Sequence, residues 1–183
     1  MPFFTPSNWN KVSGNSGTIS VGPELLGKFT VDVTHGCIGV KRDSEQAVTT
    51  LGYNAAGFTL GGGIVPSLGN FSMDMPSRPS SDRIYKTSRA GAGLEINELK
   101  GDFIILSVGM DLTVGYSMSG MYIGGRNFLD ISLPGFLGLE AARIAANIAF
   151  FIRTSKSYIP MSGPTLTMIP ANIGASLTRG RIY

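Results

Sequence analysis

The sequence is poor in the side chains that most often cross-link a chain, bind metals or act as nucleophiles. Its 183 residues include one cysteine, Cys37, and one histidine, His35. A single cysteine cannot close an internal disulfide, and one Cys with one His cannot supply the ligands of a structural zinc site. We therefore predict a chain without an internal disulfide, a bound metal or a cofactor.

Charge is also scarce. Asp, Glu, Lys and Arg make up 15% of the chain, against about 25% in typical globular domains. Hydrophobic residues make up 43%, which excludes a disordered chain. The net charge of +3 is far below that of a dedicated nucleic-acid-binding domain. The composition predicts one folded domain that has no specific nucleic-acid partner and much neutral outer surface.

The amino terminus lacks the features of a secretory signal, because neither a basic segment nor a long apolar run is present there. We expect a protein that is cytoplasmic as synthesised, with any export left to a dedicated machine. Residues 1–17 mix Pro, Asn and Gly with aromatic residues, which predicts an irregular N-terminal arm that docks through its rings. The aromatic residues are Phe3, Phe4 and Trp9.

Residues 18–131 are predicted to form a β-rich body. Apolar residues alternate with polar or small ones around Phe29–Val33 and Leu112–Met118, which is the spacing of strands with one buried face. A shorter strand is expected at Leu94–Asn97. Residues 74–91 are rich in Pro, Ser and basic side chains, and they predict an exposed loop.

Residues 132–155 change to helical spacing. Apolar residues recur every three or four positions, while Glu140, Arg143 and Asn147 form a narrow polar stripe. The pattern predicts one long, apolar helix that is buried or lies at an interface, since charges near its middle disfavour a membrane span. Residues 156–183 predict an extended C-terminal arm. The predicted fold class is α+β and mainly β, an antiparallel sheet (sandwich or barrel-like) with this helix and two terminal arms.

One short internal similarity is present. Glu24–Val31 and Glu98–Ile105 share the pattern E-L-x-G-x-F-x-[VI], 74 residues apart. The pattern fits a duplicated β unit, and it fits equally two unrelated hairpins that use the same turn residues. The sequence leaves both interpretations open.

Two glycine motifs fail as nucleotide-binding sites. Gly22–Phe29 matches the first seven positions of a phosphate-binding loop, but Phe29 replaces the hydroxyl that holds magnesium. Gly91–Ile96 lacks the last small residue of a dinucleotide-binding turn. Four cations of the expected loop form a weak candidate site for anions. They are Arg78, Arg83, Lys86 and Arg89.

Thr34–Val40 carries the strongest chemical pattern. His35 and Cys37 are two residues apart and share one face if the segment is a strand. The run resembles the S-x-G-C-[IV]-R active-site segment of L,D-transpeptidases. The resemblance implies Cys37 as nucleophile, His35 as base and a peptidoglycan stem as substrate. Thr34 and Gly39 stand where that segment has Ser and Arg, and we do not assign the family. A buried cysteine beside a structural histidine fits the same residues.

Taken together, these patterns favour a non-enzymatic structural or interaction protein. Little charge, neutral strand faces and a helix with a thin polar stripe describe a protomer that hides surface from water. We predict a subunit of a homo-oligomeric assembly, such as a particle, a tube, or a phage-tail or secretion-type apparatus, with other assembly proteins as further partners. An enzyme that uses Cys37 and His35 on peptidoglycan is the first alternative, and a membrane-inserting effector is the second. The predicted interface residues are Phe3, Phe4, Trp9, Ile144, Ile148 and Phe151.

Overall fold

The computed structural model describes most of the chain as strands and one helix. The described residues are 4–21, 29–61, 70–74, 82–88, 90, 93–111, 114–126, 141–166 and 172–183. The strands are β1 (Phe4–Val21), β2 (Phe29–Arg42), β3 (Val48–Gly61), β4 (Asn70–Asp74), β5 (Asp82–Thr87), β6 (Gly101–Asp111), β7 (Val114–Ile123), β8 (Ser157–Leu166) and β9 (Asn172–Ile182). The helix α1 spans Ala141–Thr154, and a 3₁₀ helix spans Ile96–Leu99.

The strands close into one antiparallel barrel. It has eight strand positions, because β4 and β5 share one position between β1 and β8. The order around the barrel is β1, β2, β3, β9, β6, β7, β8 and then β4 with β5. β1 pairs with β2 on one side and with β4 and β5 on the other, and these pairings close the sheet. The prediction of a mainly β fold with an antiparallel sheet is confirmed.

The barrel is built from two Greek keys. β1, β2 and β3 are neighbours, and β4 with β5 returns to lie beside β1. In the same way β6, β7 and β8 are neighbours, and β9 returns to lie beside β6. This repeat makes β2 equivalent to β7. The sequence similarity instead matches Phe29–Val31 of β2 with Phe103–Ile105 of β6. It therefore does not follow the structural repeat, and its residues 24–28 lie outside the described part of the chain.

The interior of the barrel holds an apolar cluster, and alternate positions of almost every strand contribute to it. The rings of Tyr53 and Phe103 pack edge to face with centroids 5.6 Å apart. Burying each Ile, Leu or Phe side chain stabilises the fold by about 1.5–3 kcal/mol. The buried apolar residues of the strands in this cluster are Trp9, Ile38, Val40, Leu51, Tyr53, Ala55, Ile84, Phe103, Ile105, Met121, Ile123, Ile159 and Ile182.

The segment between β5 and β6 closes one end of the barrel. Leu94 and Leu99 are fully buried there, in the same cluster as Trp9. The indole Nε1 of Trp9 donates a hydrogen bond of 2.7 Å to the carbonyl oxygen of Leu94. Arg42 lies over the Trp9 ring, 5.0 Å from its centroid, and forms a 2.9 Å ion pair with Glu95. We call this end the closed end.

Helix α1 lies outside the barrel. Ile144 and Phe151 are buried, and Phe151 packs with Ile104 of β6 and Leu177 of β9. Among the helix residues whose burial the structure describes, 143, 145–147, 149, 150 and 153 are exposed. The predicted long, apolar helix over 132–155 is not shown, because α1 has 14 residues and residues 132–140 lie outside the described part.

The two terminal segments are strands of the barrel, which differs from the predicted arms. Most of residues 1–17 belong to β1, and 156–183 contribute β8 and β9. The inward positions of β1 are Ser7, Trp9 and Lys11, all buried. Two of these three side chains are polar, so the alternation that marks a strand is hidden in the sequence.

Two smaller predictions also differ from the structure. The predicted loop at 74–91 contains β5, and Ile84 of that strand is fully buried in the barrel. The predicted strand at Leu94–Asn97 is instead the start of the closing segment, where Leu94 is inserted into the barrel and the 3₁₀ helix follows. The apolar residues that suggested a strand there include Leu94, which is buried although it lies in a connecting segment.

Strands β3 and β9 approach each other closely where Gly57 of β3 and Gly180 of β9 lie. A Cβ atom at Gly180 would clash with the backbone oxygen of Asn54 and would lie 2.7 Å from the Cα of Ala55. We predict that Gly180→Ala lowers the free energy of unfolding by about 1–3 kcal/mol, since overpacking forces the backbone to shift. Urea denaturation followed by circular dichroism measures the loss. Gly93→Ala is the matched control, because nothing lies within 4 Å of its Cβ position. Equal stabilities of the two variants would contradict the close approach.

Asp43, in the turn between β2 and β3, makes acid-sensitive contacts at the closed end. Arg83 and Asn10 donate hydrogen bonds of 2.6 Å to its carboxylate, and they hold its pKa below the ordinary value of 3.8. A lowered pKa adds stability that is present above pH 3.8 and is lost as the pH falls through the lowered value. We predict that Asp43→Asn lowers the melting temperature at pH 7 and converges with the wild type at strongly acidic pH. Thermal melts across pH test this, and in an Arg83→Met background the effect of Asp43→Asn should shrink.

Candidate functional site

The outward surface of β2, β3 and β9 carries exposed valines, two arginines, His35 and Cys37. Inward residues of these strands, such as Thr34, Tyr53 and Ile182, are buried, and the residues between them face outward. We call this outward surface the outer wall. Its residues include Val31, Val33, His35, Cys37, Asn54, Ala56, Arg179 and Arg181.

One part of the outer wall is apolar and exposed. Val31 is 37% exposed and Val33 is 57% exposed, and they are successive outward residues of β2. Ala56 on β3 lies opposite Val33 and is also exposed. We call Val31, Val33 and Ala56 the valine patch. Isolated exposed hydrophobic residues are ordinary, whereas a contiguous apolar group that spans two neighbouring strands is typical of a contact surface.

A polar cluster borders the valine patch. His35 lies opposite Asn54, and its Nδ1–H donates a hydrogen bond to the Asn54 Oδ1 atom. In this tautomer of the neutral ring the Nε2 atom is the hydrogen-bond acceptor. Arg181 of β9 lies opposite Asn54 on the other side, is 79% exposed, and is 4.0 Å from Asp102. The outer wall therefore presents an oriented imidazole and a guanidinium.

Cys37 lies on the outward side of β2, two residues from His35, as the sequence predicted. Its side chain is half-buried. Gly52 lies opposite Cys37, and the Tyr183 ring covers Gly52, because a Cβ atom there would be 2.7 Å from that ring. The backbone N–H of Tyr183 donates to the Gly52 carbonyl at 3.0 Å, which fixes the carboxyl end of the chain beside the thiol. Among the described residues, no group of three or more His, Cys, Asp or Glu side chains is placed to hold a metal ion.

A second distinctive surface lies on β1, β5, β7 and β8. The Tyr158 ring is central, with its centroid 5.3 Å from Phe4, 6.1 Å from Tyr85 and 4.9 Å from Tyr122. All four rings are half-buried. Partial burial is the main cause that raises the pKa of Tyr122 and of Tyr158 above 10.0. We call Phe4, Tyr85, Tyr122 and Tyr158 the aromatic cluster.

The chain itself covers most of the residues that the sequence assigned to an interface. Trp9 lies inside the barrel, and Ile144 and Phe151 are buried. Ile148 is partly buried and packs in the same cluster as Phe151. Phe4 belongs to the aromatic cluster and is half-buried, so it keeps an outward surface. Phe3 lies outside the described residues.

The weak cation site is not assembled among the described residues. Arg83 is engaged by Asp43 and by the backbone oxygen of Ser7, at 2.6 Å and 3.1 Å. Lys86 lies three residues further along the same strand and also has a partner. Arg78 and Arg89 lie outside the described part, as does the glycine motif at 22–28.

The sequence analysis missed Asn54, the valine patch as a surface, and Arg181. The alternation at residues 29–33 predicted a strand with its apolar face buried. The strand is present, but that prediction is wrong about the face, because Val31 and Val33 are exposed and Asp32 between them is buried. Asn54 and Arg181 become visible only through the pairing of β2, β3 and β9, which joins residues far apart in the chain.

No protein-family model, no curated protein and no solved structure matches this chain. In the described part, no helix is long and apolar enough to cross a membrane.

Proposed function

We propose that this protein is a non-enzymatic structural subunit of a homo-oligomeric assembly, and that the outer wall is its contact surface. The observation that carries the proposal is the valine patch, with Val33 more than half exposed beside Val31 and Ala56. A particle, a tube, or a phage-tail or secretion-type apparatus is the kind of assembly proposed, with other assembly proteins as further partners.

The closed sheet determines how such a subunit makes contacts. Every strand of the barrel pairs on both sides with another strand of the same chain. Closure pairs most of the described strand edges within the chain itself, whereas an open edge is a common site of association between β proteins. The proposed contacts between copies therefore use outward side chains. The valine patch supplies β-branched side chains on a stiff wall, which lose little conformational freedom when a neighbour covers them.

Sedimentation velocity on a Val33→Asp variant tests the proposal. Burying an unpaired carboxylate at a contact costs several kcal/mol, so we expect at least a 100-fold weaker association and a species at the 19.3 kDa protomer mass. Val48→Asp is the matched control, because Val48 is 51% exposed and lies eight residues from Ala56 along β3. We expect the control to associate like the wild type.

Two results would count against this proposal. A wild-type chain that remains a 19.3 kDa monomer at high micromolar concentration has no need of the contact. A Val33→Asp variant that assembles as well as the Val48→Asp control would remove the valine patch from the interface. Circular dichroism confirms in each case that the variant is folded.

A second candidate function, a thiol-dependent enzyme acting on peptidoglycan stem peptides, is favoured by one specific observation. Asn54 holds His35 through Nδ1, and Cys37 lies on the same outward side of β2. An amide that fixes the tautomer of a histidine base is one way to support a cysteine nucleophile. In this role His35 Nε2 removes the thiol proton, and the Cys37 thiolate attacks the acyl carbon of a peptide bond. The C–N bond then breaks, the amine leaves with the proton from His35, and the acyl group remains on Cys37 as a thioester.

Alkylation of Cys37 by iodoacetamide at pH 7 separates the two candidates. The enzyme candidate predicts that His35→Gln and Asn54→Ala each slow alkylation by about tenfold, because less thiolate is available without the positioned base. Mass spectrometry follows the reaction, and a denatured sample gives the rate of a fully accessible thiol. Equal rates in the wild type and both variants would exclude the thiol–imidazole pair and leave Cys37 a structural residue.

A further inference from the structure

We infer that copies of this chain associate head to tail, with the outer wall of one copy seated on the aromatic cluster of the next. The inference rests on the proposed function and adds to it the second contact surface and the symmetry class. It rests on three observations, which are the placement of the two surfaces, their electrostatic complementarity and the poor match of the outer wall to itself.

The two surfaces are separated on the barrel. Tyr122 and Tyr158 lie on β7 and β8, four strand positions from β2 and β3 respectively. Phe4 lies on β1, next to β2, but it is 15 residues along β1 from Ile19, the residue that pairs with Val33. Helix α1 covers part of the barrel between these sides, since it packs in a cluster with Ile104 of β6 and Leu177 of β9. A subunit with two different contact surfaces on separate sides has the geometry of a heterologous contact, which repeats from copy to copy.

The two surfaces are complementary in charge. The outer wall presents Arg181, which is 79% exposed, and the imidazole of His35 beside the valine patch. The tyrosine rings of the aromatic cluster are half-buried, and the face of such a ring carries partial negative charge that attracts a guanidinium placed within about 6 Å. The exposed part of the rings also offers apolar area to Val31 and Val33.

The outer wall is a poorer partner for a second outer wall. A two-fold contact centred on the valine patch brings two copies of the same basic surface together, and the only described carboxylate within ion-pair distance of Arg181 is Asp102 on β6. Such a contact also leaves the aromatic cluster uncovered in both copies. A cation-bearing wall against an aromatic surface avoids both costs.

The direct test mixes two variants that are each defective on one surface. Val33→Asp blocks the outer wall and keeps the aromatic cluster, whereas Tyr85→Lys places a cation in the cluster and keeps the outer wall. Each variant alone should sediment at the 19.3 kDa protomer mass. Their equimolar mixture should form a 1:1 complex of twice that mass and grow no further, because only one intact pair of surfaces remains.

The other outcomes identify which claim fails. If Tyr85→Lys and a second cluster variant, Phe4→Lys, both assemble like the wild type, the contact does not use the aromatic cluster and the inference falls while the proposed function stands. If each single variant is monomeric but the mixture is also monomeric, the head-to-tail contact falls in the same way. A monomeric wild type overturns both. Circular dichroism and thermal melts verify that each variant is folded. As a control mixture, Tyr85→Lys is combined with Val48→Asp, in which the valine patch and the aromatic cluster are both intact.

Discussion

Closure of the sheet by β1 is the constraint on which the rest of this structure depends. β1 pairs with β2 and also with β4 and β5, and these pairings close the described strands into a barrel. Closure separates the side chains into an interior set and an outward set, and alternate residues of each strand belong to opposite sets. Any function that needs a partner or a substrate must therefore use the outward set, the ends of the barrel or its interior. The features that stand out in the described residues, the valine patch and the oriented His35, belong to the outward set.

At the closed end, the apolar cluster inside the barrel is covered by the closing segment. Leu94 and Leu99 complete the apolar cluster from the connecting segment, and Arg42 covers Trp9 from the rim. Ion pairs join the closing segment to its surroundings, Glu95 to Arg42 of β2 and Glu98 to Lys156, the residue before β8. These contacts are partly exposed, so each adds only a small stabilisation. Their combined effect is positional, because they hold the leucines over the end of the barrel.

The sequence predicted the β class because the alternation around Phe29–Val33 has the period of a strand, although the apolar Val31 and Val33 lie outward and Asp32 lies inward. It failed for β1 because the inward residues there include Ser7 and Lys11, and the pairing with β2 and β5 overrides the weak local pattern. It placed His35 and Cys37 on one face correctly, since that follows from the period of a strand alone. It could not find Asn54, which depends on the register between β2 and β3. Local periodicity is readable from one sequence, whereas register is fixed by contacts distant in the chain.

The two candidate functions compete for one surface. Val33 and His35 are two residues apart on the same side of β2, a separation of roughly 7 Å along a strand. A neighbouring copy that covers Val33 therefore also covers His35 and the adjacent thiol. Catalysis by Cys37 requires an acyl substrate to reach that same area. The two proposed uses of this wall, assembly through the valine patch and turnover at Cys37, therefore exclude one another in an assembled copy.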